Sequence, residues 1–202
     1  MMLIMGINKM PQLFIISGCN GAGKTTASYT VLPEMLDCKE FVNADSIAAG
    51  LSPFNPEGVA VAAGRIMLKR IEELMSEGAN FAFETTLATR SYTSLIKRAQ
   101  SMGYLVTLVY FWLNDVTLAK QRVAKRVSRG GHNIPVETIE RRYYKGIKNF
   151  HELFYPICDY WLLIDNSNEM TFIAEGEKNH DIDIKNVEIW NRIISQSNAN
   201  KF

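Results

Sequence analysis

The sequence predicts an α/β fold, a mostly parallel sheet with helices on both faces, and three observations lead to it. Apolar runs of strand character alternate with stretches of helical period along the whole chain. The longest β-type run, Tyr104 to Trp112, is rich in Tyr, Val, Thr and Phe, as a central strand covered on both faces should be. Acidic residues follow the ends of three predicted strands, where open α/β sheets bind their ligands. With 202 residues, 47% hydrophobic and 21% charged, one large core is available without disulfide or metal staples, since a chain of this size buries roughly 70% of its unfolded surface.

Taken in order, the first strand is Leu13 to Ile16, ending at Ser17-Gly18, and a helix runs from about Lys24 to near Pro33. Phe41-Val42 is a short second strand leading into Asn43-Ala44-Asp45-Ser46. Asn55, Pro56 and Glu57 suit the cap, first turn and positive end of a helix whose stripe is Val59, Ala63, Ile66 and Leu74 and whose stop is Gly78. Phe81 to Phe83 is the third strand, and a helix from about Ser91 ends at Gly103. After Tyr104 to Trp112, Asp115 opens a basic helix that Gly130-Gly131-His132-Asn133-Ile134-Pro135 breaks. Val136 to about Phe154 is helical again, and Tyr160 to Ile164 is the fifth strand. Beyond it, Thr171 to Ala174 and Ile182 to Ile184 read as a hairpin, and Val187 to Ile194 as a helix. The expected organisation is one domain over residues 11–166 with a C-terminal extension, 167–202, packed on it.

Gly18-Cys19-Asn20-Gly21-Ala22-Gly23-Lys24-Thr25 matches the phosphate-loop pattern G-x-x-x-x-G-K-[ST], between a predicted strand and a predicted helix. Glycines at this spacing let successive N–H groups point at phosphate oxygens, and the helix that follows adds its positive end. Gly18, Asn20, Gly21, Ala22, Gly23, Thr25 and Thr26 are therefore expected to hold a nucleotide. Lys24 reaches the β- and γ-phosphates, and the Thr25 hydroxyl is the ligand expected for Mg²⁺. The expected class is a three-layer P-loop NTPase, nucleotide-kinase-like, with a five-stranded sheet and a helical lid. Cys19 sits at a permissive position and reads as filler, although a thiol at a helix N-terminus can be acidified and modified.

Asp45 reads as a general base for an acceptor hydroxyl, against the alternative that it caps the short helix at Ile47. Glu84 reads as an acid holding Mg²⁺ through water, with the Thr85 and Thr86 hydroxyls beside it for a polar substrate. Asp165 reads as a turn residue and Asn114-Asp115 as a helix cap. From Lys120 to Lys148 there are nine Lys/Arg and two Glu. Arg122, Arg126 and Arg129 fall on one helical face, an array suited to closing over phosphates: Arg122 and Arg126 on the reaction, Arg129 on the nucleotide. The glycines at 130 and 131 favour a moving lid. His132 contacts a substrate phosphate or caps the break.

A net charge of +1 gives no global drive onto nucleic acid or an anionic membrane. Three widely spaced cysteines make neither a disulfide framework nor a zinc pattern, which fits a reducing, cytoplasmic setting. Met1 to Met10 is short, lacks a small-residue cleavage site and is a poor signal peptide; Met10 is an alternative start.

The phosphate loop, Phe41-Val42-Asn43-Ala44-Asp45, Phe83-Glu84-Thr85-Thr86, Arg122 to Val127 and Gly130 to Pro135 together resemble the zeta toxin family of P-loop kinases, in its chromosomal branch of predicted ATPases. The resemblance spans about residues 11 to 166. It implies an ATP- and Mg²⁺-binding core, with Asp45 as the base, Glu84 and Thr86 in the substrate-contacting segment and lid arginines on the transferred phosphoryl. By its position before the proline, His132 stands where the toxins carry a later lid arginine. The resemblance further implies a small hydroxyl-bearing acceptor such as a UDP-N-acetyl sugar, and an antitoxin partner. The residues alone also admit a polynucleotide or nucleoside kinase, with Tyr143 and Tyr144 to stack bases, or a nucleotide-gated binding ATPase with no small acceptor.

Overall fold

The computed structural model describes residues 10–131 and 133–198, so His132, like Met1 to Lys9, lies outside the described residues. Seven strands form a single sheet: β1 (Gln12–Gly18), β2 (Glu40–Val42), β3 (Phe81–Thr85), β4 (Leu105–Trp112), β5 (Tyr160–Asp165), β6 (Thr171–Glu177) and β7 (Asp183–Ile184). Their order is β2-β3-β1-β4-β5-β6-β7. The first five are parallel, and β6 and β7 are antiparallel additions on the β5 side. Five strands were expected; the C-terminal hairpin brings the count to seven because β6 pairs with β5 along most of its length.

The helices are α1 (Lys24–Met35), α2 (Ala44–Leu51), α3 (Ala60–Glu77), α4 (Tyr92–Ser101), α5 (Val116–Val127), α6 (Val136–Asn149) and α7 (Val187–Asn198). The core is the sheet itself. Leu13, Ile15, Phe81, Ala82, Phe83, Val106, Leu108 and Leu163 are fully shielded from solvent, and these are the strands that read as apolar runs. Helix α1 passes through Pro33 instead of stopping there. The carbonyl that loses its partner belongs to Tyr29, an exposed residue where water can serve.

Asn55 does cap, but it caps a single 3₁₀ turn, Glu57–Val59, through the Gly58 N–H at 3.2 Å, and α3 begins only at Ala60. Ala63, Met67, Ile71, Leu74 and Met75 form its buried face, while Ile66, expected inside, is exposed. At the other end, α6 runs on into a π-helical turn, Phe150–Phe154. Phe150, Tyr155, Trp161 and Trp190 stack there and fasten α7 to the sheet, with the Trp161 and Trp190 rings 5.9 Å apart.

Candidate active site

The phosphate loop bends where the sequence puts its glycines. Gly18, at φ 138°, lies so close to β4 that a Cβ would collide with the Phe111 carbonyl oxygen. Gly21, at φ 80°, packs beneath α5, where a Cβ would sit 2.9 Å from the Ala119 carbonyl oxygen and 3.2 Å from Arg122 Cβ. The loop is thus wedged between the central strand and α5. Gly18→Ala is expected to cost about 1–3 kcal/mol of stability from overpacking and to lower Tm by roughly 2–4 °C per kcal/mol, with ATP affinity falling in step. A melt matching the wild type would show the strand able to move aside.

Lys24 is only 6% exposed, and its Nζ donates to the Cys19 carbonyl at 3.0 Å, holding the ammonium inside the loop. It also lies 3.4 Å from Glu84 Oε1. The other carboxylate oxygen, Oε2, accepts from Thr25 Oγ1 at 2.7 Å and from Asn43 Nδ2 at 2.8 Å. Glu84 therefore sits against the loop lysine and the hydroxyl expected to bind metal. Asn43, buried at the end of β2, turns its Oδ1 the other way and accepts from the Asp45 and Ser46 N–H groups at 2.8 and 3.1 Å. Asn43 is thus the N-cap of α2, and the alternative in which Asp45 caps that helix is excluded. Asp45, in the first turn, is exposed.

Thr85 and Thr86 are half-buried beside Glu84. Thr85 Oγ1 accepts from the Leu87 N–H at 3.1 Å, and buried Asn149 at the end of α6 donates to the Leu87 carbonyl at 2.6 Å. Leu87 itself is buried with φ 55°, so this turn is held in a left-handed conformation by bonds from both sides. Helix α6 also closes on Thr86 from above: a Cβ on Gly146 would sit 2.6 Å from the Thr86 carbonyl oxygen.

The arginines divide. Arg122 gives its guanidinium to backbone carbonyls: Nη1 to Asn166 at 2.8 Å and Gly21 at 3.4 Å, Nη2 to Ser167 at 2.8 Å. Arg126 is half-buried and packs against Gly131, while Arg129 is exposed past the end of α5. The two glycines are part of how α5 ends: Gly130 is left-handed and the Gly131 N–H bonds the Arg126 carbonyl at 3.0 Å, a helix cap where a loose hinge was expected.

The sequence reading missed two contributors. Arg142, on α6, reaches Asn20 Oδ1 of the phosphate loop at 3.3 Å and interacts electrostatically with Asp45. Burial, helped by Arg141, holds its guanidinium below its ordinary value, and Asp45 opposes this only in part. Its only sequence signal was membership of the basic run. The loop after β5 is the second. Asn166 Nδ2 donates to the Ala22 carbonyl at 2.8 Å, while Asp165, a turn residue as expected, accepts from the Ser167 N–H at 2.8 Å. Asp115 caps α5 as expected, accepting from the Thr117 N–H at 2.5 Å.

Two chemistries recede. The Cys19 thiol is buried, and desolvation pushes it up to about 11 despite Lys24 nearby, so it is not an activated thiol. Tyr143 is buried and donates to the Leu113 carbonyl at 2.7 Å, which removes it as a base-stacking platform. Among the described residues no group of His, Cys, Asp and Glu is arranged to hold a metal by itself, and no helix is long and apolar enough to cross a membrane.

The residues present fit a nucleotide with its metal. The loop has no room for a Cβ at Gly18 or Gly21, the buried Lys24 ammonium lies inside it, and Thr25 offers a hydroxyl with the Glu84 carboxylate alongside. This geometry agrees with the comparison of sequences, in which the zeta toxin profile matches residues 6–177. The chain belongs to the zeta toxin family. An uncharacterized protein of Haemophilus influenzae is 31% identical over 128 residues, covering 62% of this chain and 88% of that one. Among solved structures, the AvrRxo1-ORF1:ORF2 complex with ATP superposes with TM-score 0.78 at 17% identity over 96% of this chain. The zeta toxin-like chain described here spans 66% of that longer one. The PezAT chromosomal toxin–antitoxin system of Streptococcus pneumoniae follows at TM-score 0.64 and 17% identity, covering 86% of this chain and 75% of that one. The two solved structures share this chain's fold, a P-loop kinase core with a mostly parallel sheet.

Proposed function

We propose that this zeta toxin family member transfers the γ-phosphate of ATP to a hydroxyl of a small acceptor, with UDP-N-acetyl sugars the first acceptors to try. One observation carries the reading. Asn43 joins the two halves of the reaction: one end of its amide binds Glu84, which touches Lys24 and Thr25, and the other fixes the backbone of Asp45. The phosphate-loop side chains and a candidate base are thereby tied through one amide.

In this reading the loop N–H groups and Lys24 bind the donor phosphates. Bound Mg²⁺, held by Thr25 with Glu84 behind it, would neutralise charge on the β- and γ-phosphates. Asp45 accepts the proton of the acceptor hydroxyl as its oxygen bonds to the γ-phosphorus. The bond from that phosphorus to the β,γ-bridging oxygen breaks, and ADP leaves. Arg142, between the phosphate loop and Asp45, stabilises charge on the transferring group, whereas Arg122 serves as a clamp joining α5, the phosphate loop and the loop after β5. Thr86 and the turn behind it orient the acceptor. A protein antitoxin is proposed as partner, on the strength of family membership.

The test is incubation with Mg-ATP and a panel of nucleotide sugars, nucleosides and oligonucleotides, read by mass spectrometry, with Lys24→Ala as the blank. A phosphorylated acceptor formed by the wild type alone supports the proposal; ATP binding with no transfer to any acceptor counts against it. Arg142→Ala is expected to lower kcat by about 10²–10³-fold, in the range seen when one transition-state donor is removed, with little change in the KM for ATP. Equal loss from Arg122→Ala at constant ATP affinity would reverse the two roles.

A further inference from the structure

One side chain grips the phosphate loop from outside. Asn166, in the loop after β5, donates from Nδ2 to the Ala22 carbonyl at 2.8 Å. The same nitrogen lies 2.5 Å from where a Cβ on Gly23 would stand. Gly23 is the left-handed residue, φ 82°, that caps α1. Asn166 therefore packs against the peptide that leads into Lys24 and Thr25. Its own freedom is small. The Asn166 N–H donates to the Trp112 carbonyl at 3.0 Å, and its carbonyl accepts from Arg122 Nη1 at 2.8 Å. Arg122 Nη2 donates to the next carbonyl, that of buried Ser167, whose Oγ accepts from the Asn114 N–H at 2.8 Å. Both backbone groups of Asn166 are thus tied, one to the end of β4 and one to α5, and this frame aims the side-chain amide at Ala22.

A trans peptide unit is planar, with its C=O and N–H on opposite sides, and no cis bond occurs among the described residues. Drawing the Ala22 carbonyl out toward Asn166 therefore turns the Gly23 N–H the other way, away from the loop after β5. Among the described residues the Gly23 N–H has no hydrogen-bond partner in the protein. The reversed peptide would point the Ala22 carbonyl oxygen where that N–H now points. Glycine at position 23 has no Cβ to resist such a flip, so the Asn166 amide is what decides between the two orientations.

We infer that Asn166 is a positioning residue for the nucleotide: it holds the Ala22 carbonyl outward so that the Gly23 N–H donates to a phosphate oxygen. The inference rests on the nucleotide-binding half of the kinase reading and not on the acceptor. An N–H aimed at a phosphate makes a charge-assisted bond. A carbonyl oxygen in its place would face the phosphate oxygens with like partial charge. Asn166 touches no phosphate itself; it acts through one peptide, and Arg122 supports it from α5.

Inorganic tripolyphosphate with Mg²⁺, and adenosine, are the probes, titrated separately into full-length ¹⁵N-labelled protein. In the wild type the Gly23 amide proton should move downfield as tripolyphosphate saturates, the mark of a new bond to an anionic oxygen. A Gly23 amide that does not move overturns the inference before any variant is made. In Asn166→Ala the Kd for tripolyphosphate should rise by about 10-fold, the worth of one charge-assisted bond, the Gly23 shift should be lost, and the Kd for adenosine should hold. Asn166→Asp keeps the size without the donor and should give the same loss of tripolyphosphate binding, which covers the case of an alanine variant that does not fold. An unchanged Kd for tripolyphosphate, or a loss that adenosine shares equally, overturns the inference, the second because it would make Asn166 a support of the fold alone. In transfer assays the KM for ATP should rise with kcat little changed, the pattern of lost uniform binding. Transfer at the wild-type KM in both variants would keep the kinase reading and remove the role of Asn166. The expected binding results with no transfer to any acceptor would keep that role and remove the kinase reading.

Discussion

Asp45→Ala is expected to slow phosphoryl transfer by about 10²–10⁴-fold, the usual contribution of a positioned general base, and to leave ATP binding unchanged. The separation follows from the way the residue is held. Its backbone is fixed by Asn43, so its removal disturbs neither the α2 cap nor Glu84. Among the described residues its exposed carboxylate has no hydrogen bond for the substitution to strand. Arg142 loses an electrostatic partner but keeps Asn20. Isothermal titration with ATP, beside a single-turnover assay of transfer, reads both halves. A parallel fall in ATP affinity would mean that Asp45 belongs to the nucleotide site and not to the acceptor.

Glu84→Ala should do damage of a different kind. Its carboxylate receives a hydrogen bond from Thr25, another from Asn43 and the ion pair from Lys24, and it is 11% exposed. Among the described residues alanine would leave Lys24, at 6% exposure, with only the Cys19 carbonyl for its charge. Breaking a buried pair from one side costs about 3–5 kcal/mol. For a chain of this length that is a fall in Tm of roughly 2–4 °C per kcal/mol. Transfer should fall as well, because Asn43 would lose its anchor to the loop. Glu84→Gln keeps the shape and one acceptor oxygen, so it should recover much of the stability but not the activity. Activity restored by glutamine would show that charge at position 84 is dispensable and that Glu84 is a spacer.

The legible part of this molecule is the part written in short segments. The phosphate loop needs glycine where φ is positive and lysine and threonine where the helix starts, so eight consecutive residues carry the whole requirement. The strands around it are short apolar runs in an alternating chain, whereas their order in the sheet rests on pairings that no single run carries. Asp45 and Glu84 stand out in the sequence because they follow strand ends, where such sheets keep their chemistry. What stayed hidden depends on pairs far apart in sequence. Arg142 meets Asn20 across 122 positions, and Asn166 meets Ala22 across 144. Nothing local marks either residue, since one arginine of a basic run looks like the next. The three arginines of α5 shared a face on paper, yet only the packing of α5 on Gly21 decides that Arg122 turns inward to backbone carbonyls. In α3 the buried face keeps Ala63 and Leu74 of the expected stripe but takes Met67, Ile71 and Met75 in place of Ile66, a choice made by what the helix packs against.

The two ends of the sheet bear on how another protein could approach. At one end is β2, three residues long, with Glu40 tied to Arg70 of α3 at 3.0 Å; at the other is β7, two residues long, with Asp183 paired to Lys185. A visiting strand finds too few open backbone groups to pair with and a charged side chain at each place it might begin. Chains of this protein should therefore stay apart in concentrated solution instead of zipping edge to edge. A protein partner, by the same reasoning, meets the helices more readily than either edge of the sheet.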